Sequence, residues 1–396
     1  MKCKLATGLL VLLISVTGFI IQGPRALLGD GGLAAAQGPP TPIPSRASVA
    51  GEVATDAAVI WRGFDQKWTL ANHRLNRLGD YIGGINYSGS SCSANLVHAA
   101  ASGLAGDIAR YTTYYTEISA VGVGFQPGNR ALTLSGSEGA PISLEAPVSV
   151  SADANMKGRG RYTVLLNGFD LCASESADKI QHLRIALTNP TYDQDSDTLN
   201  FKIVVQLTAN CTSIECPAKD RVDYNMRIYY LIIGGEEETF YKVSREFSRH
   251  YSWDKENEIH LRDLNEEHSL QGEPGHPVGV FGFRSLEFDL DRDHWMFEWA
   301  SYVQPISYSQ QSGKGEFNLA LMFKQWTTGM MAGAQKRSGS ATVSARVILL
   351  QFKNAERRNT NYSGSVEWAG TLGGAPSSGC SEEAMTSYSI GFEIHH

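Results

Sequence analysis

Apolar and polar residues alternate with a period of two along much of the chain. One apolar stripe occupies alternate positions of 183–187 and a second those of 199–207, with mainly polar residues between them. Because successive side chains of a strand point to opposite faces, each stripe predicts a strand with one buried face. The segment 189–197, rich in Asp, Asn and Pro, separates the stripes and predicts a hairpin turn that holds its three aspartates.

Further stripes of this kind recur along the sequence. They cover 222–232, 317–323 and 388–394, and Gly- and Ser-rich turns separate them from other β-rich runs. Many short strands with no clear long helix predict an all-β fold of the antiparallel β-sandwich or jelly-roll type, with little helix. Two segments are ambiguous: 68–79 fits a helix or a strand, whereas 236–253 favours a strand.

Composition shifts divide the chain further. The highly charged, apolar-poor segment 254–278 has Gly-Glu-Pro-Gly-His-Pro at 272–277 and is interpreted as a connector between two domains. The sequence therefore predicts five regions: an export signal or N-terminal anchor (1–36), a Pro-rich spacer (37–52), a first β domain (53–253), the connector (254–278) and a second β domain (279–396).

The N-terminus has the pattern of an export segment. Lys2 and Lys4 precede an uncharged, mostly apolar run at 5–21, and a small-residue cleavage site follows at 34–36. The long gap between run and site keeps an uncleaved membrane anchor as the alternative. Either way we expect the bulk of the chain outside the cytoplasm, secreted or periplasmic, with any membrane contact made through this N-terminal segment.

Charge and cysteine content narrow the expectations. The net charge is −7, and no basic stripe accompanies it, so nucleic acid is not expected as a partner. Of the six cysteines, Cys3 lies in the export segment, and the other five predict at least one disulfide and one thiol without a partner. Cys211 and Cys216 are favoured for a small-loop bridge, with a pairing of Cys172 as the alternative. A zinc site is not expected, because the spacing of cysteines and histidines fits none.

One acidic segment resembles the start of a calcium loop. Asp289, Asp291 and Asp293 alternate as oxygen ligands of a hard cation would. His294 stands where such a loop needs Gly, and Ala300 where it needs a bidentate Glu. The apolar stripe also changes phase at 291–294, which favours a hairpin turn. Calcium remains the alternative, and no other cofactor is expected.

Aromatic side chains give the best candidates for binding. Trp326 lies where a strand ends beside a loop, and Trp61 and Trp68 with Arg74 occupy a similar place near the start of the first domain. An exposed Trp can stack on a sugar ring, and Arg74 can pair with an acidic ligand. Trp295 and Trp299 alternate with Phe297 and are assigned to the core instead.

No catalytic motif is recognisable. The chain has neither a GxSxG elbow nor a GxxxxGK[ST] loop, so a non-enzyme is favoured. We expect an exported module that binds a surface ligand such as a glycan. A structural component of an envelope or particle and a secreted polysaccharide hydrolase are the alternatives.

Overall fold

The computed structural model describes residues 55–69, 77–88, 91–101, 108–137, 139–173, 179–210, 222–253, 259–290, 294–311, 314–329, 339–367 and 385–393. These residues form strands and turns without any helix, which confirms the predicted all-β class. In chain order the strands are β1 Thr55–Thr69, β2 Arg77–Ser88, β3 Ser91–Ala101, β4 Ile108–Val121, β5 Val123–Gly136, β6 Ile142–Ser151, β7 Arg161–Ala173, β8 Lys179–Leu187, β9 Thr191–Asp193, β10 Thr198–Asn210, β11 Val222–Gly235, β12 Phe240–Trp253, β13 Ile259–Gln271, β14 Val278–Leu290, β15 His294–Gln311, β16 Lys314–Gly329, β17 Gly339–Phe352, β18 Ala355–Glu367 and β19 Met385–Glu393.

The strands build two antiparallel sheets. The smaller has six strands in the order β13-β16-β15-β1-β4-β18. The larger has thirteen and follows the path β19-β3-β2-β7-β14-β8-β10-β6, with β11 beside β5 and β7, β17 beside β12 and β14, and β9 beside β10. Neighbours in a sheet are often distant in sequence, as where β1 pairs with both β4 and β15.

The period-two stripes form strands as predicted. In β10 the apolar positions from Leu199 to Leu207 are buried, and β10 pairs with β8 as a hairpin. The turn between them is built by the aspartates themselves. Asp193 accepts a hydrogen bond from the amide of Asp195, and Asp197 adopts a φ of 52°. The segment 236–253 is also a strand, since it contains β12.

Aromatic side chains fill the space between the sheets. Phe64 of β1 packs at right angles to Trp299 of β15, with ring centroids 4.7 Å apart. From the larger sheet, Phe169 meets Phe64 at 5.8 Å and Phe288 meets Trp299 at 4.5 Å. Edge-to-face pairs of this kind add to the burial of large apolar surfaces. The two sheets therefore pack through a common core, consistent with a β-sandwich, and the assignment of Trp299 to the core is confirmed.

Both sheets combine strands from either side of the predicted connector. β1 of the predicted first domain (53–253) pairs with β15 of the predicted second (279–396), and β7 pairs with β14. Residues 40–396 group as one compact unit. The charged segment 254–278 contains β13, at the edge of the smaller sheet. Its poverty in apolar residues suits an edge strand, where charge discourages pairing with another chain.

The connection between β14 and β15 corrects one prediction. A hairpin at 291–294 is wrong, because β14 lies in the larger sheet and β15 in the smaller. The change of phase marks a crossing between sheets. The regions 1–36 and 37–52 lie outside the described residues.

Candidate functional site

One face of the six-stranded sheet carries a group of polar residues. Asp65 and Lys67 of β1 alternate with buried Gln66, and Thr112 of β4 lies beside buried Tyr111. Pairing aligns these positions into rows, because directly opposed residues share one face of a sheet. We call this the polar face and define it by Asp65, Lys67, Arg110, Thr112, Ser363 and Ser365.

A groove of about 470 Å³ opens on the polar face. It is lined by Asp65, Lys67, Arg110, Tyr111, Thr112, Ser363, Gly364 and Ser365. The hydroxyl groups of Thr112 and Ser363 lie 2.8 Å apart and share a hydrogen bond. The groove thus offers a carboxylate, two cations and several hydroxyls within one depression.

An aromatic pair borders the groove. The rings of Tyr114 and Tyr302 stack with centroids 3.8 Å apart and an interplanar angle of 14°. Gly63 lies between them in the sheet, opposite both residues. Gly63 has a φ of 116° at a bulge, and a Cβ there would overlap the carbonyl oxygen of Ser301. The missing side chain leaves space for the two rings to meet.

The predicted binding residue Trp326 belongs to a row of the same sheet. Across the strands β16, β15, β1 and β4, this row contains Trp326, Glu298, Lys67 and Arg110, and each residue is opposite the next. Two strand spacings, roughly 10 Å, separate the backbones of Trp326 and Lys67. Trp68, another predicted aromatic, follows Lys67 in β1 and pairs with Ala109. The prediction that Trp61 is exposed is wrong, because its side chain is fully buried and its indole donates to Asp80.

Tyr111 connects the groove to the core. Its ring lies against Gly364, where a Cβ would come within 2.5 Å of the tyrosine hydroxyl. Tyr111 also stacks on buried His98 of β3, with centroids 3.5 Å apart. The ring of Tyr111 therefore lies on the core side of the smaller sheet and joins β4 to the larger sheet.

A buried polar network lies below His98. Asp80 of β2 is fully buried and sits opposite His98 in the larger sheet. Its Oδ1 accepts a hydrogen bond of 2.5 Å from the indole of Trp61, and its Oδ2 accepts one of 2.5 Å from the hydroxyl of Thr113. The Nδ1 atom of His98 is 2.7 Å from Oδ2. Trp61 and Thr113 belong to the smaller sheet, so the network joins the two sheets.

The network does not have the geometry of a catalytic hydroxyl activated by a histidine and a carboxylate. A catalytic hydroxyl gives its proton to a histidine, and a carboxylate orients that histidine from its other side. Here Thr113 donates directly to Asp80, and its oxygen lies at similar distances from both ring nitrogens of His98, 3.4 Å from Nδ1 and 3.2 Å from Nε2, so it does not engage Nε2 alone. The arrangement compensates a buried carboxylate with surrounding donors, which is a structural role.

The other predicted site residues are not brought together. Asp289 lies exposed on β14, opposite Thr342 and His182. Asp291, Asp293, Arg74, Cys211 and Cys216 lie outside the described residues. Among the residues that are described, no group of three potential metal ligands occurs. Calcium binding, the Cys211–Cys216 bridge and the alternative pairing of Cys172 stay predictions.

The residues of the groove were missed by reasoning from the sequence. Asp65, Thr112 and Ser363 come from three strands that only the pairing of β1, β4 and β18 brings side by side. The signal available beforehand was weak: each is a polar residue at an outward position of an alternating strand.

Three buried tyrosines and the half-buried Tyr114 give the protein a pH dependence. Burial is the largest cause that raises the pKa of Tyr81, Tyr114, Tyr229 and Tyr230. The neutral phenols therefore contribute stability that is complete below about pH 10, where free tyrosine ionises, and is lost as the pH rises further. We expect the melting temperature to fall steeply above that pH. A melting temperature that stays constant through the ionisation of tyrosine would contradict this.

Comparison with protein-family models, with curated proteins and with solved structures returns no match. No helix long and apolar enough to cross a membrane occurs in the described part of the chain.

Proposed function

We propose that this protein is an exported glycan-binding module whose ligand lies in the groove of the polar face. The observation that carries the proposal is the combination of a polar groove with an aromatic pair at its border. Tyr114 and Tyr302 offer flat apolar surface next to groups that hydrogen-bond. A pyranose ring has the matching character, with C–H faces above and below and hydroxyls around its edge.

The lining groups match the donors and acceptors of a saccharide. The carboxylate of Asp65 accepts hydrogen bonds from sugar hydroxyls, and the hydroxyls of Thr112 and Ser363 can donate or accept. Lys67 and Arg110 donate to hydroxyl oxygens and would favour a sugar that carries a negative charge. Ligand sites combine a few placed polar groups with apolar surface in this way.

Two further observations agree with the proposal, one on export and one on the position of Trp326. The N-terminal sequence has the features of an export signal, a basic start followed by an apolar run. The register places Trp326 in the row of Lys67 and Arg110. A long saccharide could therefore extend across the sheet toward β16.

A glycan array on the full chain tests the proposal. We expect the wild type to bind one class of saccharide and Asp65→Asn to weaken that binding roughly 10- to 100-fold, the usual cost of losing a charged hydrogen-bonding partner. Trp326→Ala should weaken binding of long saccharides more than that of short ones. Asp223→Asn is the matched control, since Asp223 bonds Ser135 in the larger sheet. Absence of binding to any glycan, or equal loss in the control, would overturn the proposal.

Hydrolysis of the bound glycan is a second candidate function, because the register of β1 and β15 brings the backbones of two acidic residues near each other. Asp65 is opposite Ala300, and Glu298 lies two positions before Ala300. The Cα atoms of diagonal neighbours in antiparallel strands are about 7–8 Å apart, and carboxyl groups borne at such positions can reach the separation at which paired carboxylates flank a glycosidic bond. If the bound glycan is cleaved, Glu298→Gln should abolish cleavage and leave binding intact. Persistence of the intact glycan would leave binding as the function.

A further inference from the structure

The larger sheet contains a seam between β7 and β14. These strands pair at a single position, where Phe283 is opposite Leu166. Beyond it β14 continues beside β8, with Ser285 opposite Ala186. Arg284 falls at the irregularity between Phe283 and Ser285. From Arg284 onward β14 is no longer paired with β7, and this is where the seam begins.

Two cationic side chains reach across to β7 at the seam. The amine of Lys242, from β12, donates to the backbone oxygen of Tyr162 at 2.6 Å. The guanidinium of Arg284 donates through Nη2 to the hydroxyl of Thr163 at 2.7 Å. Because their acceptors belong to consecutive residues, the two cationic groups end close to one another.

The charge of these two groups is not compensated within the described part of the chain. Arg284 is 5% exposed, and its Nε atom is buried without a hydrogen-bond partner. Neither cation forms an ion pair with a described carboxylate, whereas Arg161 pairs with Glu237 and Arg346 with Glu246. A buried cation without a counter-charge is costly, and a bound anion would offset that cost.

We propose that Lys242 and Arg284 form a binding site for an oxyanion, such as a phosphate or sulfate group. The guanidinium fork and the amine supply the charged donors that such groups prefer. Lys242 is partly exposed, so an anion could enter from its side. The site lies in the larger sheet and does not depend on the groove of the polar face.

The electrostatics of Lys242 agree with this placement. Burial is the main cause that lowers the pKa of Lys242 to about 8, and the charges of Arg284 and Arg161 lower it further. An anion between the amine and the guanidinium would oppose both effects. Binding is therefore expected to raise this pKa.

Calorimetric titration of the full chain with inorganic phosphate and with sulfate, at constant ionic strength in chloride, tests the site. We expect saturable binding that Arg284→Met and Lys242→Met each weaken at least about tenfold. Lys202→Met is the matched control, because Lys202 pairs with Glu145 on another part of the sheet. No saturable binding, or equal binding by all variants, would overturn the proposal.

A second measurement keeps the test informative if Arg284→Met does not fold. The rate of acylation of Lys242 in the wild type, followed by mass spectrometry over pH, should rise with a midpoint near 8 in chloride and at higher pH in phosphate. An unchanged midpoint would contradict the site. The affinities of inorganic phosphate, a sugar phosphate and a sulfated saccharide are then compared. Tightest binding of inorganic phosphate would identify the ligand as a free ion. Tighter binding of either saccharide would identify it as a group carried by a larger molecule.

Discussion

Replacing Asp80 by alanine is expected to lower the free energy of unfolding by about 3–5 kcal/mol, the cost of breaking a buried charged network. The carboxylate is fully buried and serves as the common acceptor for Trp61 and Thr113, with His98 in contact. Its removal leaves these donors without their acceptor in the core. Because Trp61 and Thr113 belong to the smaller sheet and His98 to the larger, the loss would weaken the attachment of one sheet to the other.

Chemical denaturation of the Asp80→Ala variant measures this effect. Asp223→Ala provides the control, since Asp223 accepts a hydrogen bond from Ser135 near the surface and its loss should cost about 1 kcal/mol or less. Asp80→Asn should fall between the wild type and Asp80→Ala, because the amide retains one acceptor oxygen. Equal stability of the two alanine variants would show that the buried network stabilises the protein no more than a hydrogen bond near the surface does.

Replacing Gly63 by alanine should have a comparably large effect, at least about 3 kcal/mol. Gly63 has a φ of 116°, and any Cβ there would overlap the backbone of Ser301 in β15. The neighbouring strand would have to move, which separates β1 from β15 and disrupts the stacking of Tyr114 on Tyr302. Thermal denaturation should show the loss of stability.

Gly158→Ala is the matched control for this substitution. Gly158 also has a positive φ, 65°, but nothing lies within 4 Å of the position its Cβ would take. Its replacement should cost only about 1 kcal/mol, the conformational penalty alone. If both variants lose the same small amount, the close approach of β15 at Gly63 is not a determinant of the fold.

The fold class could be predicted because alternation is a local property. Each stripe, such as the one ending at Leu207, records which face of its own strand is buried. The hairpin of β8 and β10 was predictable for the same reason, since its turn residues stand between two stripes. The partners of β1 were not, because pairing with β4 and β15 depends on contacts between segments far apart in the chain.

The crossing at 291–294 shows the same limit. A change in the phase of alternation has the same appearance at a hairpin and at a passage from one sheet to another. The charged segment 254–278 has a comparable ambiguity, because an edge strand such as β13 needs few apolar residues. Local sequence identified both places as irregular and could not identify the kind of irregularity.

The candidate site was predictable only in part. Trp326 was chosen for its position at the end of a strand, and the register places it in a row with Lys67 and Arg110. The carboxylate and hydroxyls of the groove carried no such signal. Asp65 is one of 41 acidic residues in the chain, and only its position opposite Thr112 distinguishes it.

Hydroxyl-radical footprinting with the tightest-binding glycan of the array tests the central claim most directly. The claim places the ligand on Tyr114 and Tyr302, beside Asp65. Oxidation of these two tyrosines should fall when the glycan is bound, whereas that of Tyr241, on β12 of the larger sheet, should not change. Protection of Tyr241 with no protection of Tyr114 or Tyr302, or an array on which no glycan binds, would contradict the claim.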